Sequence, residues 1–416
     1  MATVAPFPAL RPRPELASDV ASVPYDVVDT AEARALAEGK PHSYLHVTRP
    51  EIDMPLQTDP HSEAVYQAGR ATLARFIAEG TLLRDPVPAL YVYRLTAGDH
   101  SQTGVMGCCA VDEYDDGTIK KHEKTRPDKE DDRTHHLLTL GVHPEPVFFT
   151  CRADADVAAR VERAVAGDPL YAFTAEDGVK HEVWRLTGDE AGGLSRAFAD
   201  VEALYVADGH HRCAAASRAR AEMRQRDPDP GGGEPYDRFL AVVFPDDQVA
   251  IQAYNRVVHD LNGLTEAGFL KELRGVMEVS ENAAPAPDQR GRFSMYLGGR
   301  WYGLAAPAEQ VGADDPVESL DAAILQSQVL GPILGIDDPR TSERISFVGG
   351  IRGTGELERR VEVLGQGVAF SLYPVSVVEL MAVADAGRVL PPKSTWFEPK
   401  LRSGLAIHEF DNPSAR

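Results

Sequence analysis

Apolar residues recur at helical spacing in the segment from Glu63 to Leu83. The apolar positions are Val65, Ala68, Leu73, Phe76 and Ile77. Because residues three and four apart share one face of a helix, this pattern predicts an amphipathic helix. Similar patterns predict helices near 154 to 165, from about Thr265 onward and over roughly 317 to 330.

Shorter apolar runs bounded by turn residues predict strands. They include "ALYVYRL", "TGVMGCCAVDEY" and "PVFFTCRA". Two hairpins are indicated, "YAFTAEDGVKHEVWRL" with an Asp-Gly turn and "RFSMYLGGRWYGLAA" turning at Gly298-Gly299. The segment "RFLAVVFPDDQVAIQAYNRVV" predicts two strands joined at Pro-Asp-Asp, and "RTHHLLTLG" predicts a short helix that ends at Gly141. This mixture of helices and antiparallel hairpins is typical of the α+β class.

The length of 416 residues exceeds what one compact core usually holds, so two lobes are expected. The clearest loop or linker in the chain is "DPDPGGGEPYD" at 227–237. We predict a first lobe over 1–260, with inserted strands and hairpins, and a second α/β lobe over 261–416.

A formal net charge of −21 narrows the range of partners. Such a chain repels a polyanionic duplex unless its basic residues gather on one face, so we expect no nucleic-acid partner. A local pocket of Arg, Lys and backbone N–H groups could still hold a small anion, with help from a divalent cation. The oligomeric state stays open, and a homo-oligomer is compatible with this composition.

Four cysteines lack zinc-ligand spacing, which indicates a reducing compartment. The N-terminal segment has no signal-peptide pattern, and no run of 18 apolar residues occurs. The sequence therefore predicts a cytoplasmic protein with no membrane partner.

The strongest chemical signal is "YVADGHHRCAAASRARAEM", where an apolar run meets an alanine-rich stretch. If a strand hands over to a helix here, Asp208 takes an N-cap position and Gly209 lets backbone approach a ligand closely. The unpaired first-turn N–H groups of such a helix suit a phosphate. His210, His211 and Arg212 add further donors, and Asp208 could hold Mg²⁺. The alternative is a capped helix whose polar first turn faces solvent.

A basic segment, "IKKHEKTRPDKEDDR" at 119–133, follows a predicted strand directly. Pro127 argues against a helix that simply starts there. The side chains that would bear chemistry are His122, Glu123, Lys124 and Thr125. A solvated charge run and an active-site loop remain equal alternatives.

A proline-rich segment, "VLPPKSTWFEPKLRSG" at 389–404, supplies a third group of polar side chains. Lys393, Ser394 and Thr395 could contact an anion, although the glycines of a P-loop are missing. The alternative is a stiff turn anchored by its aromatic residues.

A fourth segment, "SVPYDVVDTAEARAL", places Asp26 before a helix capped at Asp29 or Thr30. The Asp26 carboxylate is either a turn residue or a base.

Six segments together resemble domain-of-unknown-function family 1015, a bacterial and archaeal family whose hallmark is Asp-Gly-His-His-Arg. They are "PYDVV", "KKHEKTRPDKEDDR", "YVADGHHRCAAA", "QAYNRVV", "SLDAAILQSQVLGPILGI" and "LPPKSTWFEPKLRSGL". Through the Asp-Gly-His-His-Arg region the chain is also similar to free L-serine kinases, whose fold is shared by the ParB partition protein and sulfiredoxin.

This resemblance implies a ParB/sulfiredoxin-like nucleotide-binding lobe and transfer of a phosphoryl group to free serine, which gives O-phosphoserine. The implied cofactors are Mg²⁺ and ADP or ATP, and the partners are a nucleotide and a small amino or hydroxy acid. The phosphate-binding role falls on Asp208, Gly209, His210, His211 and Arg212. A rival interpretation is a nucleotide-dependent switch, and a third is a sulfiredoxin-like redox enzyme that uses Cys213.

The serine kinases use a catalytic glutamate near the N-terminal part of the fold, but no glutamate stands beside "VPYDVV" here. Asp26 and Glu123 are therefore the alternative bases. We expect the loops to converge on one cleft, with Lys393 and either Lys400 or Arg133 holding the substrate carboxylate.

Overall fold

The computed structural model describes residues 2–227 and 233–411 and divides the chain into two compact units. The first unit comprises 1–249 and 399–416, and the second comprises 250–398. The division lies close to the predicted boundary at 260. The segment from Pro399 onward differs from the prediction, because it packs with the first unit, where Ile407 pairs with Leu10.

The first unit is built on an eight-stranded mixed sheet in the order β5-β10-β7-β11-β4-β3-β9-β8, with two small two-stranded sheets. Numbered along the whole chain, its strands are β1 Leu10–Pro12, β2 Leu82–Arg84, β3 Ala89–Ala97, β4 His100–Ala110, β5 Ile119–Lys120, β6 Val142–His143, β7 Val147–Cys151, β8 Tyr171–Thr174, β9 Lys180–Thr187, β10 Leu204–Asp208, β11 Arg238–Pro245 and β20 His408–Glu409.

Helices surround this sheet. They are α1 Ala17–Val20, α2 Thr30–Ala37, α3 Leu45–Thr48, α4 Glu63–Ala78, α5 Val111–Asp115, α6 Pro127–Leu140, α7 Ala155–Val165, α8 Gly188–Phe198 and α9 His210–Arg226. The α9 helix buries a stripe of small residues, Ala215 and Ala219, beside Leu137 of α6. Only Gly209 separates β10 from α9, so the first turn of α9 lies next to the end of β10.

The second unit carries a six-stranded antiparallel sheet in the order β14-β16-β15-β18-β13-β17. Its strands are β12 Ala250–Gln252, β13 Tyr254–Val258, β14 Glu278–Glu281, β15 Arg292–Leu297, β16 Arg300–Ala305, β17 Ile345–Gly349, β18 Val368–Leu372 and β19 Trp396–Glu398. Its helices are α10 Glu266–Leu273, α11 Ala308–Val311, α12 Asp321–Leu325, a π-helical turn Gln326–Leu330, α13 Gly355–Glu362 and α14 Val377–Asp385. Strands β12 and β19 pair with each other where the chain enters and leaves this unit.

Most of the periodic segments form the predicted elements. The helix from Glu63 ends at Ala78, and α7 begins after Asp154, whose side chain accepts hydrogen bonds from two first-turn N–H groups. The Gly298-Gly299 hairpin forms between β15 and β16. Asp29 caps α2 in a reciprocal capping box, as predicted.

Two local predictions need correction, and a third is confirmed with one added detail. Pro127 occupies the first turn of α6, where its missing N–H costs no hydrogen bond, so the helix does start there. The run predicted as one strand over 103–114 ends at Ala110, and α5 follows. The segment over 238–258 has strands on both sides of the Pro-Asp-Asp turn, as predicted, and the part after the turn is divided into β12 and β13.

The molecule is thus a mixed α/β protein with several sheets, and the ParB/sulfiredoxin-like character of the first lobe stays a prediction. Of the predicted linker at 227–237, residues 228–232 lie outside the described residues. Throughout the described ranges, no helix combines the length and apolar character needed to cross a membrane.

Candidate active site

The site is organised by the junction between β10 and α9. The strand ends at Asp208, Gly209 adopts φ 104°, and the helix begins at His210. Gly209, rather than Asp208, is therefore the N-cap residue, which corrects the sequence prediction. The first hydrogen bond of the helix runs from Cys213 N to Gly209 O at 3.1 Å. The backbone N–H groups of the first turn point out of the helix end, where they favour an anion.

Glycine is required at this junction for two reasons. Its φ lies in the left-handed region that other residues avoid. A Cβ atom there would also lie 3.2 Å from the Arg212 guanidinium and 3.3 Å from the Val147 side chain. The chain turns tightly enough for Arg212 to fold back beneath the Gly209 backbone.

Asp208 is paired with Lys400, whose Nζ donates to Oδ2 at 2.9 Å. Burial would raise the pKa of Asp208, but Lys400 and Arg212 outweigh burial, so the pKa lies well below its usual range. Asp208 is therefore an ionised carboxylate at neutral pH. Lys400, predicted to hold the substrate carboxylate, contacts Asp208 in the structure, and its role toward a substrate stays a prediction.

Arg212 is a buried cation held from two sides. Its guanidinium donates to Pro146 O and, at 3.5 Å, to Asp26 Oδ2. Burial alone would lower the pKa of Arg212, but Asp26 and Asp208 raise it above the ordinary value. Its Nε is buried and has no hydrogen-bond partner among the described residues. Arg212 thus supplies a fixed positive charge at the junction, because both terminal nitrogens of its guanidinium already have partners.

Glu145 also belongs to this cluster, although it is not among the residues predicted from the sequence. Its carboxylate is buried and accepts hydrogen bonds from Tyr25 N at 2.9 Å and from Ser403 Oγ at 2.8 Å. Burial raises its pKa, Arg212 opposes that effect and Asp26 adds to it. The available signal was "HPEPVFF", where a glutamate between two prolines directly precedes a buried strand.

Two histidines form a buried pair beside Asp208. The rings of His122 and His210 meet edge to face with centroids 4.5 Å apart. Burial lowers the pKa of His122 to about 4 and that of His210 well below its usual range, so both are neutral at pH 7. Both ring nitrogens of His122, and Nε2 of His210, are buried with no hydrogen-bond partner in the described part of the chain. Such atoms can donate to or accept from a bound ligand.

Glu123 and the loop that follows it flank this pair. Glu123 Oε2 lies 3.8 Å from His210 Nδ1, and its side chain is half exposed. Lys124 is exposed, while the Thr125 hydroxyl donates to Glu130. His211 Nε2 accepts from Arg126 N at 3.1 Å and so ties the loop to α9.

Arg133 lies against the ring of Tyr25. Its guanidinium pairs with Asp132 and stands 4.2 Å from the centroid of the Tyr25 ring. Burial lowers the pKa of Arg133, whereas Tyr25 and Asp132 raise it above the ordinary value. Arg133 therefore supports the segment that carries Asp26, and its proposed contact with substrate stays a prediction.

The remaining predicted residues belong to the second unit. Lys393 adopts φ 54°, and its Nζ stands 5.8 Å from the centroid of the Tyr254 ring. Ser394 is buried and its hydroxyl donates to Pro391 O at 2.7 Å. Thr395 is partly buried beside it. Their convergence with Asp208 and Glu123 stays a prediction.

The fold and the site together define a mixed α/β protein in which an ionised aspartate and a buried arginine lie at the junction between a strand and a helix. The chain belongs to the family described as "Protein of unknown function (DUF1015)", whose model matches residues 4–323. This confirms the family predicted from the six motifs. A comparison with curated proteins gives no match.

Several solved structures are remotely similar to this chain. A mutant of a free serine kinase in complex with ADP is 15% identical with a TM-score of 0.35, over 74% of this chain and 94% of that chain. "SbnI with C-terminal truncation from Staphylococcus aureus" is 12% identical with a TM-score of 0.38, over 73% and 87%. A conserved hypothetical protein from Pyrococcus furiosus is 13% identical with a TM-score of 0.34, over 73% and 94%. No residue correspondence follows at this level of similarity.

Proposed function

We propose that the first unit is a small-molecule kinase that transfers a phosphoryl group from ADP or ATP to the hydroxyl of free L-serine. The observation that carries this proposal is the β10–α9 junction, where a helix N-terminus, an ionised Asp208 and a buried Arg212 occupy one place. Phosphoryl transfer needs positioning and charge neutralisation more than covalent chemistry. The Asp-Gly-His-His-Arg resemblance supports serine as the acceptor.

The phosphate-binding part of the proposal rests on the first turn of α9. The outward-pointing backbone N–H groups of this turn and the helix dipole favour a phosphate close to Gly209. Two cations add positive charge near this turn. The Arg212 guanidinium lies close to Gly209, and the Lys400 ammonium group is hydrogen-bonded to Asp208. The neutral His122 and His210 rings have the unfilled nitrogens needed to hydrogen-bond phosphate oxygens.

We assign the base to Asp26. Its side chain is about one-third exposed and lies 3.5 Å from Arg212 Nη2, which places a reachable carboxylate beside the positive centre of the site. Glu145 is enclosed and holds the backbone of Tyr25, so it is a positioning residue for Asp26. Glu123, beside His210, is the alternative base.

The residues present also fit Mg²⁺. Magnesium sites at phosphates commonly use one or two carboxylates, with substrate oxygens and water completing the shell. The ionised Asp208 is such a carboxylate, although among the described residues no group of three or more His, Cys, Asp or Glu forms a metal site by itself. When bound, Mg²⁺ would neutralise charge on the transferred phosphoryl group.

The test is a phosphorus nuclear magnetic resonance assay with Mg²⁺, L-serine and either ADP or ATP. We expect O-phosphoserine from the wild type, and at least a hundredfold slower formation in Asp208→Asn, Arg212→Ala and Asp26→Asn. Glu162→Gln, an exposed change on α7, is the matched control and should match the wild type. If Glu123→Gln abolishes activity while Asp26→Asn does not, the base is Glu123. Nucleotide binding without product from either donor would overturn the kinase and favour a nucleotide-dependent switch.

A further inference from the structure

A separate pocket lies entirely within the second unit. It has a volume of about 240 Å³, and its walls include Arg256, Gln326, Leu330, Phe347, Pro391 and Pro392. These residues come from β13, the π-helical turn, β17 and the loop before β19. Three segments that carry the family resemblance meet here, "QAYNRVV", "SLDAAILQSQVLGPILGI" and "LPPKSTWFEPKLRSGL". The proposed kinase mechanism makes no use of this pocket.

Arg256 is the unusual member of the pocket. Its residue surface is only 3% exposed, and its guanidinium donates to Tyr254 O and, at 3.3 Å, to Pro392 O. Within the described part of the chain, no carboxylate forms an ion pair with it, and none contributes to its pKa. Backbone carbonyls satisfy hydrogen bonds but carry no net charge, whereas buried charges in proteins are normally paired.

The ionisation behaviour of Arg256 agrees with this isolation. Burial lowers the pKa of its guanidinium to about 10. The group is nevertheless protonated at neutral pH, because that pKa remains well above 7. A cation without a counter-charge among the described residues therefore lines the pocket, and an anionic ligand group would neutralise it.

Gln326 places a hydrogen-bond acceptor in the same pocket, whereas Arg256 places a cation there. Its Nε2 donates to Ile336 O at 2.7 Å, which fixes the amide orientation, and its Oε1 is buried with no donor among the described residues. Gln326 opens a π-helical turn, closed by a hydrogen bond from Gly331 N to Gln326 O at 3.0 Å, and such turns recur at functional sites. A ligand with a hydrogen-bond donor would satisfy this oxygen.

Three charged residues, Asp337, Asp338 and Arg340, form the rim of the pocket and indicate which charges a ligand should carry. Asp338 is neutralised by Arg340 at 2.8 Å, which leaves the exposed Asp337 as the acidic group of the rim that forms no ion pair with a described residue. A ligand that carries both a carboxylate and an ammonium group would complement Arg256 on one side and Gln326 and Asp337 on the other. The apolar walls formed by Leu330, Phe347 and the prolines suit an uncharged side chain.

Size gives the last constraint. A cavity of about 150 Å³ accommodates benzene. A pocket of about 240 Å³ therefore takes a molecule modestly larger than benzene and is too small for a nucleotide. We propose that the second unit binds a free α-amino acid with an uncharged side chain, with the α-carboxylate on Arg256 and the α-ammonium toward Gln326 and Asp337. This proposal does not rest on the kinase function of the first unit.

The test uses the full chain and L-leucine, which has no hydroxyl to accept a phosphoryl group. We expect saturable binding by isothermal titration calorimetry to the wild type, weakened at least tenfold in Arg256→Met and in Gln326→Leu. Two analogues of L-leucine separate the contacts, because 4-methylpentanoate lacks the ammonium and 3-methylbutylamine lacks the carboxylate. Both should bind at least tenfold more weakly than L-leucine.

Two control variants show whether a loss of L-leucine binding is specific to the pocket. Arg300→Met removes an exposed arginine from β16 of the same unit and should leave binding unchanged, as should Asp208→Asn in the first unit. Arg256→Lys keeps the charge but loses the planar fork, so we expect intermediate affinity and an intact fold by circular dichroism. No saturable binding of L-leucine or L-valine to the wild type, or wild-type affinity in a folded Arg256→Met and a folded Gln326→Leu, would overturn the proposal. Arg256 would then act only as a brace between β13 and the loop before β19.

Discussion

The buried charged side chains of the two units differ in their partners. In the first unit each buried ion at the β10–α9 junction faces an opposite charge, Asp208 with Lys400 and Arg212 with Asp26. In the second unit Arg256 is buried beside backbone carbonyls, and Asp321 is buried with one carboxylate oxygen that has no partner among the described residues. A cluster of paired ions holds its charged groups in fixed positions before a ligand binds. A buried ion without an opposite charge can instead be neutralised by a charged group of the ligand.

The sharpest test of this contrast compares the two arginines. Arg212→Ala removes a cation from beside the Asp208 carboxylate and the buried Glu145 carboxylate, and we expect a loss of about 3 kcal/mol in the free energy of unfolding of the first unit. Arg256→Ala leaves no carboxylate unpaired among the described residues, so its loss should be smaller. Urea unfolding followed by fluorescence measures both changes. Equal losses would show that the charge balance described here does not govern stability.

Gly209→Ala should be the next largest effect. It combines a left-handed φ with a Cβ only 3.2 Å from the Arg212 guanidinium, so we expect a loss of about 2 kcal/mol in unfolding free energy and weaker nucleotide binding. The matched control is Gly178→Ala, where φ is 81° but nothing lies within 4 Å of the new Cβ. That variant should lose only about 1 kcal/mol, from backbone strain alone. Equal losses in the two variants would show that the close approach at Gly209 is unimportant.

Asp321 makes the stability of the second unit depend on pH. Burial raises its pKa to about 7, while Gly291 N–H, which donates to the carboxylate at 2.8 Å, acts in the opposite direction. Because the folded pKa exceeds the unfolded value of about 4, the contribution of this group to stability is full below pH 4 and is lost as pH rises toward 7.

We therefore expect Asp321→Asn to gain about 2 kcal/mol relative to the wild type between pH 5 and pH 8. Thermal unfolding at the two pH values measures this gain. Asp314→Asn, an exposed change in the same unit, is the control and should show no such gain. A constant difference between Asp321→Asn and the wild type at both pH values would contradict the assignment.

Cys213→Ala should have the smallest effect on activity. Burial raises the pKa of this thiol, and the residue is fully enclosed beside the first turn of α9. We expect the rate of O-phosphoserine formation to stay within about twofold of the wild type, with a loss of about 1 kcal/mol in stability. Abolished activity in a folded variant would favour the redox interpretation.

Local sequence patterns predicted the parts of the first unit that depend on local chemistry. The spacing of Val65, Leu73 and Phe76 reflects one buried helix face, and the helix at 155–165 follows a capping aspartate. The position of Gly209 at a strand-to-helix junction was predictable because few other residues tolerate that backbone. Its N-cap role was not, since Asp208 is an equally good capping residue by type.

Long-range contacts account for most of what the sequence did not reveal. Glu145 is 120 residues from Tyr25, whose backbone it holds, and no spacing rule connects them. The return of Lys400 to Asp208 spans 192 residues. The start of α6 differs from the prediction for a local reason, because proline is tolerated in the first turn although it breaks a helix interior.

The position of Lys400 in the chain also sets an order of events during synthesis. The second unit is a continuous segment, 250–398, whereas the first is completed by residues that follow it. A nascent chain therefore emerges with the whole second unit before the partner of Asp208 has been made. Until then the ion pair between Asp208 and Lys400 cannot form, so the charge pairing at the β10–α9 junction is completed only after the ribosome has passed Lys400.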